Sequence, residues 1–243
     1  AEKSGVDLQH YEVVDVHDHR KMLQRAVDII RRGDGDILMK GLVSTSTFMR
    51  AALNRESGIV EEGQLLSHVA VFDIPRYHKL LLITDVAVII APDLAQKVKI
   101  INNAVKVARR LKIENPLVAC VAAVEKVNPG KMPATEDAAI LAKMSERGQI
   151  KGCVVDGPFG FDNAISKEAA RIKGIDSVVA GDADIILCPD IEAGNILYKS
   201  LTEFADAVCG AMVVGATHPL VVTSRADNDK TKFASIVLAA ICT

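Results

Sequence analysis

Short apolar runs alternate with amphipathic segments from one end of the chain to the other. Several of these runs are too uniformly apolar for a sheet with one face in water, which is typical of strands covered by helices on both faces. Strands are predicted at residues 11–16, 36–41, 68–74, 80–84, 86–91, 116–123, 151–157, 183–188, 211–216 and 219–224.

Helical patterns lie between the predicted strands. In residues 93–111 the apolar positions recur at spacings of three or four, which places them on one face of a helix. Two further helices have apolar positions at Ile196, Leu197, Leu201, Phe204 and Val208, and at Phe233, Ile236, Val237, Ala240 and Ile241. Strands and helices in alternation predict an α/β protein with mainly parallel sheets.

The 243 residues are enough for one large or two modest domains. No linker rich in Gly, Ser or Pro divides them, so two domains would be joined by ordinary crossings. The long helix near residues 93–112 is the candidate for the first crossing, and the turn at 215–219 for the second.

The stretch PDIEAGN follows a predicted buried strand and leads into a helix. It contains Asp190, Glu192, Gly194 and Asn195. In open α/β sheets, ligands bind beyond the carboxyl ends of the strands, beside helix N-termini with unpaired N–H groups. Gly194 would permit close backbone approach and Asn195 could cap the helix. The alternative is that Asp190 and Asn195 serve only as turn and cap residues.

A second strand end carries groups that favour an anion. KGLVSTST places Lys40 and Gly41 ahead of a hydroxyl cluster at a helix start, and Arg50 follows in that helix. A lysine, hydroxyls and free N–H groups together favour phosphate, although Ser44 or Thr45 could simply be an N-cap. The spacing of a Walker A loop is absent.

A third strand end, VVTSRADND, combines an arginine with carboxylates. Ser224 and Arg225 leave the strand, and Asp227 and Asp229 precede the last helix. Arginine can clamp a phosphate with two parallel hydrogen bonds, and a nearby carboxylate can accept a proton. Aspartates at a helix start are also ordinary partners of the helix dipole.

Other motifs give less support for a site. His17 and His19 are two residues apart on a predicted strand, which would place them on one face, but no third metal ligand is evident. No metal site is therefore predicted. There is no GxGxxG after a strand and no GxSxG elbow, so neither a Rossmann nucleotide site nor an α/β-hydrolase nucleophile is indicated.

Composition narrows the classes of partner. The net charge of −2 and pI near 6.3 give no general reason to bind nucleic acid or an anionic membrane. The five cysteines are spread singly within mostly apolar runs, which favours buried, reduced thiols and a cytoplasmic location. The longest apolar stretch is interrupted by Asp85 and is too short for a membrane span.

Taken together, the segments resemble the phosphate acetyl/butyryltransferases, and the butyryl branch more closely than the acetyl one. The resemblance runs in order through ILMKGLVSTSTFMRAAL, LLSHVAVFDIP, TDVAVIIAPDLAQKVKIINNAV, EKVNPGKMPATEDAA, VDGPFGFDNAISKEAA, GDADIILCPDIEAGNILYKSL and VVTSRADNDKTKFASIVLAA. It covers nearly the whole chain, which makes it more specific than any single motif.

The resemblance implies two α/β domains related to isocitrate and isopropylmalate dehydrogenases, with the active site in the cleft between them. Residues 1–108 plus 217–243 would form a discontinuous first domain, and residues 109–216 the second. The family usually carries a further opening segment, so the first domain is expected to lack part of its sheet. A homodimer or larger homo-oligomer is implied as well.

The implied reaction converts an acyl-CoA and inorganic phosphate into an acyl phosphate and free CoA, with no separate cofactor and no metal. Ser224 and Arg225 would bind charge on the substrates, and Asp227 or Asp229 would act as the base for the CoA thiol. The substrate-binding residues would be Lys40, Gly41, Ser44, Thr45, Arg50, Asp190, Glu192, Gly194 and Asn195. In the acetyl branch the proposed catalytic Asp corresponds to Thr231 of this chain.

Two other functions are compatible with the same sequence. One is a domain of this fold that binds a CoA ester without turning it over, which the missing opening segment would favour. The other, by analogy of fold alone, is a metal-dependent decarboxylating dehydrogenase, which would need a carboxylate trio and a nucleotide loop. Neither the carboxylate trio nor the nucleotide loop is convincing in this sequence. The acyl chain length cannot be read from the sequence, because one methylene changes discrimination by only about 1–3 kcal/mol.

Overall fold

A computed structural model describes residue 7 and residues 9–224 and 227–243. The helices are α1 (His19–Arg31), α2 (Thr45–Ala52), α3 (Leu94–Arg110), α4 (Pro133–Glu146), α5 (Phe161–Ile165), α6 (Lys167–Ile172), α7 (Ile191–Phe204) and α8 (Asp229–Cys242). The strands are β1 (Leu38–Met39), β2 (Ser67–Asp73), β3 (Leu81–Thr84), β4 (Leu117–Val121), β5 (Val154–Phe159), β6 (Ile185–Leu187), β7 (Val208–Val214) and β8 (Leu220–Val221).

The strands form one mixed sheet in the order β1-β8-β7-β2-β3-β6-β4-β5. Strands β1 and β8, β3 and β6, β6 and β4, and β4 and β5 pair in parallel, whereas β2 pairs antiparallel with β3 and β7, and β7 with β8. The prediction of an α/β fold is confirmed. Because its centre is antiparallel, the sheet is mixed, and only its outer pairs are parallel.

Helices cover both faces of this sheet. Strand β2 shows the division, since Val69 and Val71 belong to a core shared with α3, α4 and α8. Ala70 and Phe72 alternate with them and face a second core that includes Tyr198 of α7. A third cluster packs α1 and α2 beside it, over Val213 and Leu220. The continuous apolar runs are therefore strands buried on both faces, as the sequence predicted.

Two predicted strands are absent. Residues 86–91 turn instead, because the Asp85 carboxylate accepts hydrogen bonds from the N–H groups of Ala87 and Val88 at 2.8 and 2.9 Å. Residues 11–16 have no strand partner among the described residues, and the side chain of Tyr11 is exposed. The prediction that His17 and His19 share a strand is also wrong, since Asp18 caps α1 and His19 is its first residue.

The helices occur where the sequence predicts them, but two of them present different faces. Helix α3 begins with a capping box between Asp93 and Gln96 and buries its apolar stripe. In α8, Phe233 is 69% exposed, and the buried residues include Thr231 and Ser235. A hydrogen bond explains this orientation: the Ser235 hydroxyl accepts from the Ala211 N–H, which holds the face of α8 that carries Ser235 against β7.

Helix α7 likewise departs from its predicted apolar face. Ile196 and Phe204 are exposed, Val208 belongs to β7, and Tyr198 is buried instead. When both sides of a helix carry apolar residues, the hydrophobic pattern alone does not show which side packs against the sheet.

Candidate active site

A cavity of about 410 Å³ lies on the face of the sheet covered by α7 and α2. Its floor is formed by residues of β2 and β7, and its walls by α7, α2, the segment after β3 and the segment after β8. It opens where the apolar cluster under α7 meets the cluster under α1 and α2. Four predicted site residues, Ser224, Asp227, Thr45 and Asn195, line it.

The loop after β8 brings Ser224 and Asp227 to the cavity as one unit. The Ser224 N–H donates to Asp227 Oδ2 at 2.7 Å, and the Asp227 N–H donates to the Ser224 carbonyl at 3.2 Å. Only 11% of the Asp227 side chain is exposed. Asn228 then caps α8 by accepting from the Thr231 N–H at 2.8 Å. Hydrogen bonds of both backbone and side-chain groups therefore hold Ser224, Asp227 and Asn228 in place. Arg225 lies outside the described residues.

Helix α7 contributes three side chains at helical spacing, Asn195, Tyr198 and Lys199. The Asn195 amide donates to the Val86 carbonyl at 3.0 Å, which ties the helix to the segment after β3. Lys199 Nζ lies 3.8 Å from Asp227 Oδ1 and 4.9 Å above the Tyr198 ring. A cation therefore stands beside the Ser224 loop, where an anionic substrate would need one.

The cap of α7 differs from the expectation. Asp190, not Asn195, is the N-cap, and its carboxylate accepts from the Ala193 N–H at 2.9 Å. Gly194 is buried, and it packs so closely that a Cβ there would collide with the Asp85 carbonyl oxygen. It permits a close approach of helix to strand end. Glu192 is exposed in the first turn.

Of the residues around α2, the structure brings only Thr45 and Met49 to the cavity. Ser44 is the N-cap of α2, accepting from the Thr47 N–H at 3.2 Å. The Lys40 ammonium donates to the carbonyls of Gly41 and Val43 at 3.1 and 3.2 Å. Lys40 and Gly41 line a separate apolar groove beside α1.

Two charged residues predicted for the site lie elsewhere on the surface. Arg50 is exposed in the last turn of α2 and does not line the cavity. Asp229 is fully exposed in the first turn of α8 and lies 3.6 Å from Lys232. The cavity wall thus has Asp227 but not Asp229.

The cavity also contains a histidine that sequence reasoning missed. His68 is 5% exposed in β2, and its Nδ1 has no hydrogen-bond partner in the part of the chain that the structure describes. Burial lowers the pKa of this imidazole, while the charges of Asp85 and Asp227 act in the opposite direction. The signal that could have revealed His68 in the sequence is its position near the start of β2, a strand whose side chains alternate between the two faces of the sheet. For Tyr198 and Lys199 the signal was their spacing from Asn195.

The cysteines are not nucleophiles. All five are free and four are buried. Burial raises the pKa of the Cys188 and Cys209 thiols to about 12, so these groups stay protonated at neutral pH.

Among the described residues, no three His, Cys, Asp or Glu side chains are placed to hold a metal ion. Over the same residues, no helix is both long and apolar enough to cross a bilayer.

Comparison with known proteins assigns the chain to a family. The profile of the family described as phosphate acetyl/butaryl transferase matches residues 5–240, nearly the whole chain. The chain belongs to this family. Among its relatives, phosphate butyryltransferase of Clostridium acetobutylicum is 51% identical over 239 residues, covering 98% of this chain and 79% of that protein. Phosphate acetyltransferase of Thermotoga maritima is 49% identical, covering 89% of this chain and 73% of that protein.

A solved structure of the family has the same fold. The branched-chain phosphotransacylase from Enterococcus faecalis V583 superposes with a TM-score of 0.89 at 35% identity, covering 98% of this chain and 84% of the other. The family resemblance read from the sequence is therefore confirmed, and the chain is an enzyme of the phosphate acyltransferase family. Membership makes the cavity with Ser224 and Asp227 the candidate active site.

Proposed function

We propose that this enzyme transfers a short acyl group, butyryl or a similar chain, between coenzyme A and inorganic phosphate. The observation that supports this reaction most strongly is the family match from residue 5 to residue 240. It is joined by a phosphate butyryltransferase relative with 51% sequence identity. In support of a site in this chain, the cavity is lined by Ser224, Asp227 and Lys199.

The reaction places two requirements on the site. A phosphate oxygen attacks the thioester carbon, the C–S bond breaks, and the thiolate of CoA leaves. The site must therefore hold an anion and stabilise the oxygen that becomes negative at the carbonyl. Lys199 supplies positive charge beside Asp227, and Ser224 and Thr45 line the same cavity. Arg225 is assigned to the phosphate from the sequence alone.

We assign the remaining predicted residues according to where they lie. Asp227 supports the Ser224 loop through its bond to the Ser224 N–H. Asn195 positions α7 against the segment after β3. Lys40, Gly41, Ser44 and Arg50 lie outside the cavity lining, and we assign them to the part of CoA that extends beyond it. Asp190, Glu192 and Gly194 set the start of α7.

We propose the domain division that the resemblance implied, with residues 1–108 plus 217–243 as one domain and 109–216 as the other. In support, the cavity is lined by His68 and Ser224 from the first and by Asn195 and Lys199 from the second. The site would then lie in the cleft between the two, as in isocitrate and isopropylmalate dehydrogenases. Strand β7 of the second domain would contribute a strand between β8 and β2.

We further propose a homodimer or larger homo-oligomer in the cytoplasm, with acyl-CoA and phosphate as substrates and no separate cofactor. The free, mostly buried cysteines agree with a reducing compartment. Sedimentation velocity of the purified chain measures the oligomeric state directly.

The decisive experiment measures CoA thiol released from butyryl-CoA with and without inorganic phosphate. We expect phosphate-dependent release, faster than with acetyl-CoA, and a loss of at least about tenfold in Ser224→Ala and in Arg225→Ala, equal to about 1.4 kcal/mol each. Ser200→Ala is the matched control, because Ser200 bonds only the Ile196 carbonyl of its own helix and lies outside the cavity lining.

Folded protein that binds CoA but releases no thiol would reject acyl transfer for this chain. It would favour a binding domain, which the named relatives do not favour.

A further inference from the structure

His68 is held on a rigid part of the cavity floor. It lies in β2, opposite Val213 of β7, in the middle of the sheet. Its N–H donates to Asp85 Oδ2 at 3.0 Å, and its carbonyl accepts from the Thr84 hydroxyl at 2.9 Å. Both backbone groups are thus fixed by side chains at the end of β3. The imidazole is presented to the cavity from a position that cannot easily shift.

The ring itself is left with an unused polar atom. Nδ1 is buried and has no hydrogen-bond partner among the described residues, although His68 lines the cavity. Buried polar groups in folded proteins are nearly always bonded, and an exception requires an explanation. Ring packing on Tyr198, with centroids 6.4 Å apart and nearly perpendicular planes, orients the imidazole but does not satisfy Nδ1. Nε2, the other ring nitrogen, is not among the buried unpaired atoms, so it is the nitrogen that a ligand in the cavity can reach. A neutral ring that carries its proton on Nδ1 leaves Nε2 as the acceptor.

The other titratable groups around His68 are already engaged. At the end of β3, Asp85 accepts from three backbone N–H groups, those of His68, Ala87 and Val88. In the loop before α8, Asp227 accepts from the Ser224 N–H and faces Lys199 of α7.

The neighbouring hydroxyl and thiol keep their protons. Burial raises the pKa of Tyr198 on α7 far above neutrality, and burial raises that of Cys209 on β7 to about 12. Among the described side chains that line the cavity, the imidazole of His68 is therefore the neutral base.

On the basis of the proposed acyl transfer, we propose that His68 is a catalytic residue that carries the proton between the CoA thiol and the phosphate. When CoA attacks an acyl phosphate, the sulfur forms a bond to the acyl carbon and its proton moves to His68 Nε2. The bond from that carbon to the phosphate oxygen breaks, and the imidazolium gives its proton to that oxygen. Phosphate then leaves as hydrogen phosphate, and protons and charge balance without any further reactant.

The surrounding charges suit this role. Burial keeps the imidazole neutral before reaction, ready to accept a proton. Asp85 and Asp227 stabilise the imidazolium while it exists. In the reverse reaction, the imidazolium donates its proton to the thiolate that leaves the thioester.

The test follows kcat of the full chain with butyryl phosphate and CoA from about pH 6.5 to about pH 9.5, in wild type and in His68→Asn. Asparagine keeps a polar group near the position of Nδ1 but takes up no proton. We expect kcat to fall on the order of 100-fold at pH 7. The loss should shrink to less than about tenfold near pH 9.5, because a thiol with a pKa near 8.5 is then already ionised.

A loss that stays constant with pH would show that His68 is only structural, and wild-type kcat at pH 7 would overturn the proposal outright. His78→Asn is the matched control, because His78 is an exposed histidine bonded to Asp182 and remote from the cavity lining. His68→Gln is measured in parallel and carries the test if the asparagine variant does not fold, as judged by circular dichroism.

The two proposals fail separately. A wild-type chain without phosphate-dependent transfer contradicts the proposed function, whatever His68 does. An active wild type whose His68 variants keep its pH profile contradicts only the role of His68.

Discussion

Gly194 is a position where the absence of a side chain is essential to the packing. It sits in the first turn of α7, against the Asp85 carbonyl that ends β3. That contact lets Asn195, the next residue, reach the Val86 carbonyl, and it sets the height of Lys199 over the cavity. A side chain one carbon long would move the whole helix away from the sheet.

We expect Gly194→Ala to lower the free energy of unfolding by about 1–3 kcal/mol, the usual range for overpacking. Urea denaturation measures this change. Gly41→Ala is the matched control, because a Cβ at Gly41 meets nothing within 4 Å, and its effect should stay within about 0.5 kcal/mol. Equal stability of the two variants would mean that α7 does not depend on the close approach at Gly194.

At the scale of elements, helix ends follow the sequence more closely than helix faces do. Asp93, Asp190 and Asn228 each cap the helix that follows, and a polar residue ahead of apolar periodicity is the usual signal for a cap, although Asn195 was the residue expected to cap α7. The face of α8 was predicted wrongly and that of α7 only in part, since Leu197 and Leu201 do pack against the core. Both helices carry apolar residues around much of their circumference. In α8, a buried hydroxyl at Ser235 outweighs the apolar side chain of Phe233 in choosing the face.

The cap of α7 gives a prediction that separates structure from substrate binding. We expect Asp190→Ala to cost about 1 kcal/mol of stability, and Asp190→Asn very little, because asparagine caps as well as aspartate. Thermal denaturation measures both. The kcat/KM of the asparagine variant should match wild type. A large loss of activity with unchanged stability would instead place Asp190 in contact with substrate.

At the scale of the whole molecule, the sheet runs without interruption across the proposed domain boundary. Strand β3 of the first unit pairs with β6 of the second through Leu82 with Ile185 and Ile83 with Ile186. Strand β7 lies between β8 and β2. Neither unit can unfold alone without exposing a hydrogen-bonding edge and apolar faces that the other unit covers.

We therefore expect calorimetry of the full chain to show a single unfolding transition. Leu141→Ala, in the buried core beneath α4, should destabilise that one transition by about 2–5 kcal/mol rather than split off a second. Its neighbour Ile140→Ala, where the side chain is 45% exposed, should have a much smaller effect. Two resolved transitions would show that the two units unfold independently.

The sequence by itself determined the α/β class, most strands and helices, the family, and two residues of the cavity loop, Ser224 and Asp227. These depend on local periodicity, turn chemistry and residue type, which neighbours along the chain define. Only the tertiary structure decided that the sheet is single and mixed, that Asp229 and Arg50 face solvent, and that His68 and Lys199 enter the cavity. The physical reason is distance along the chain: His68 meets Asp227 across 159 residues, and no local pattern encodes such a pairing.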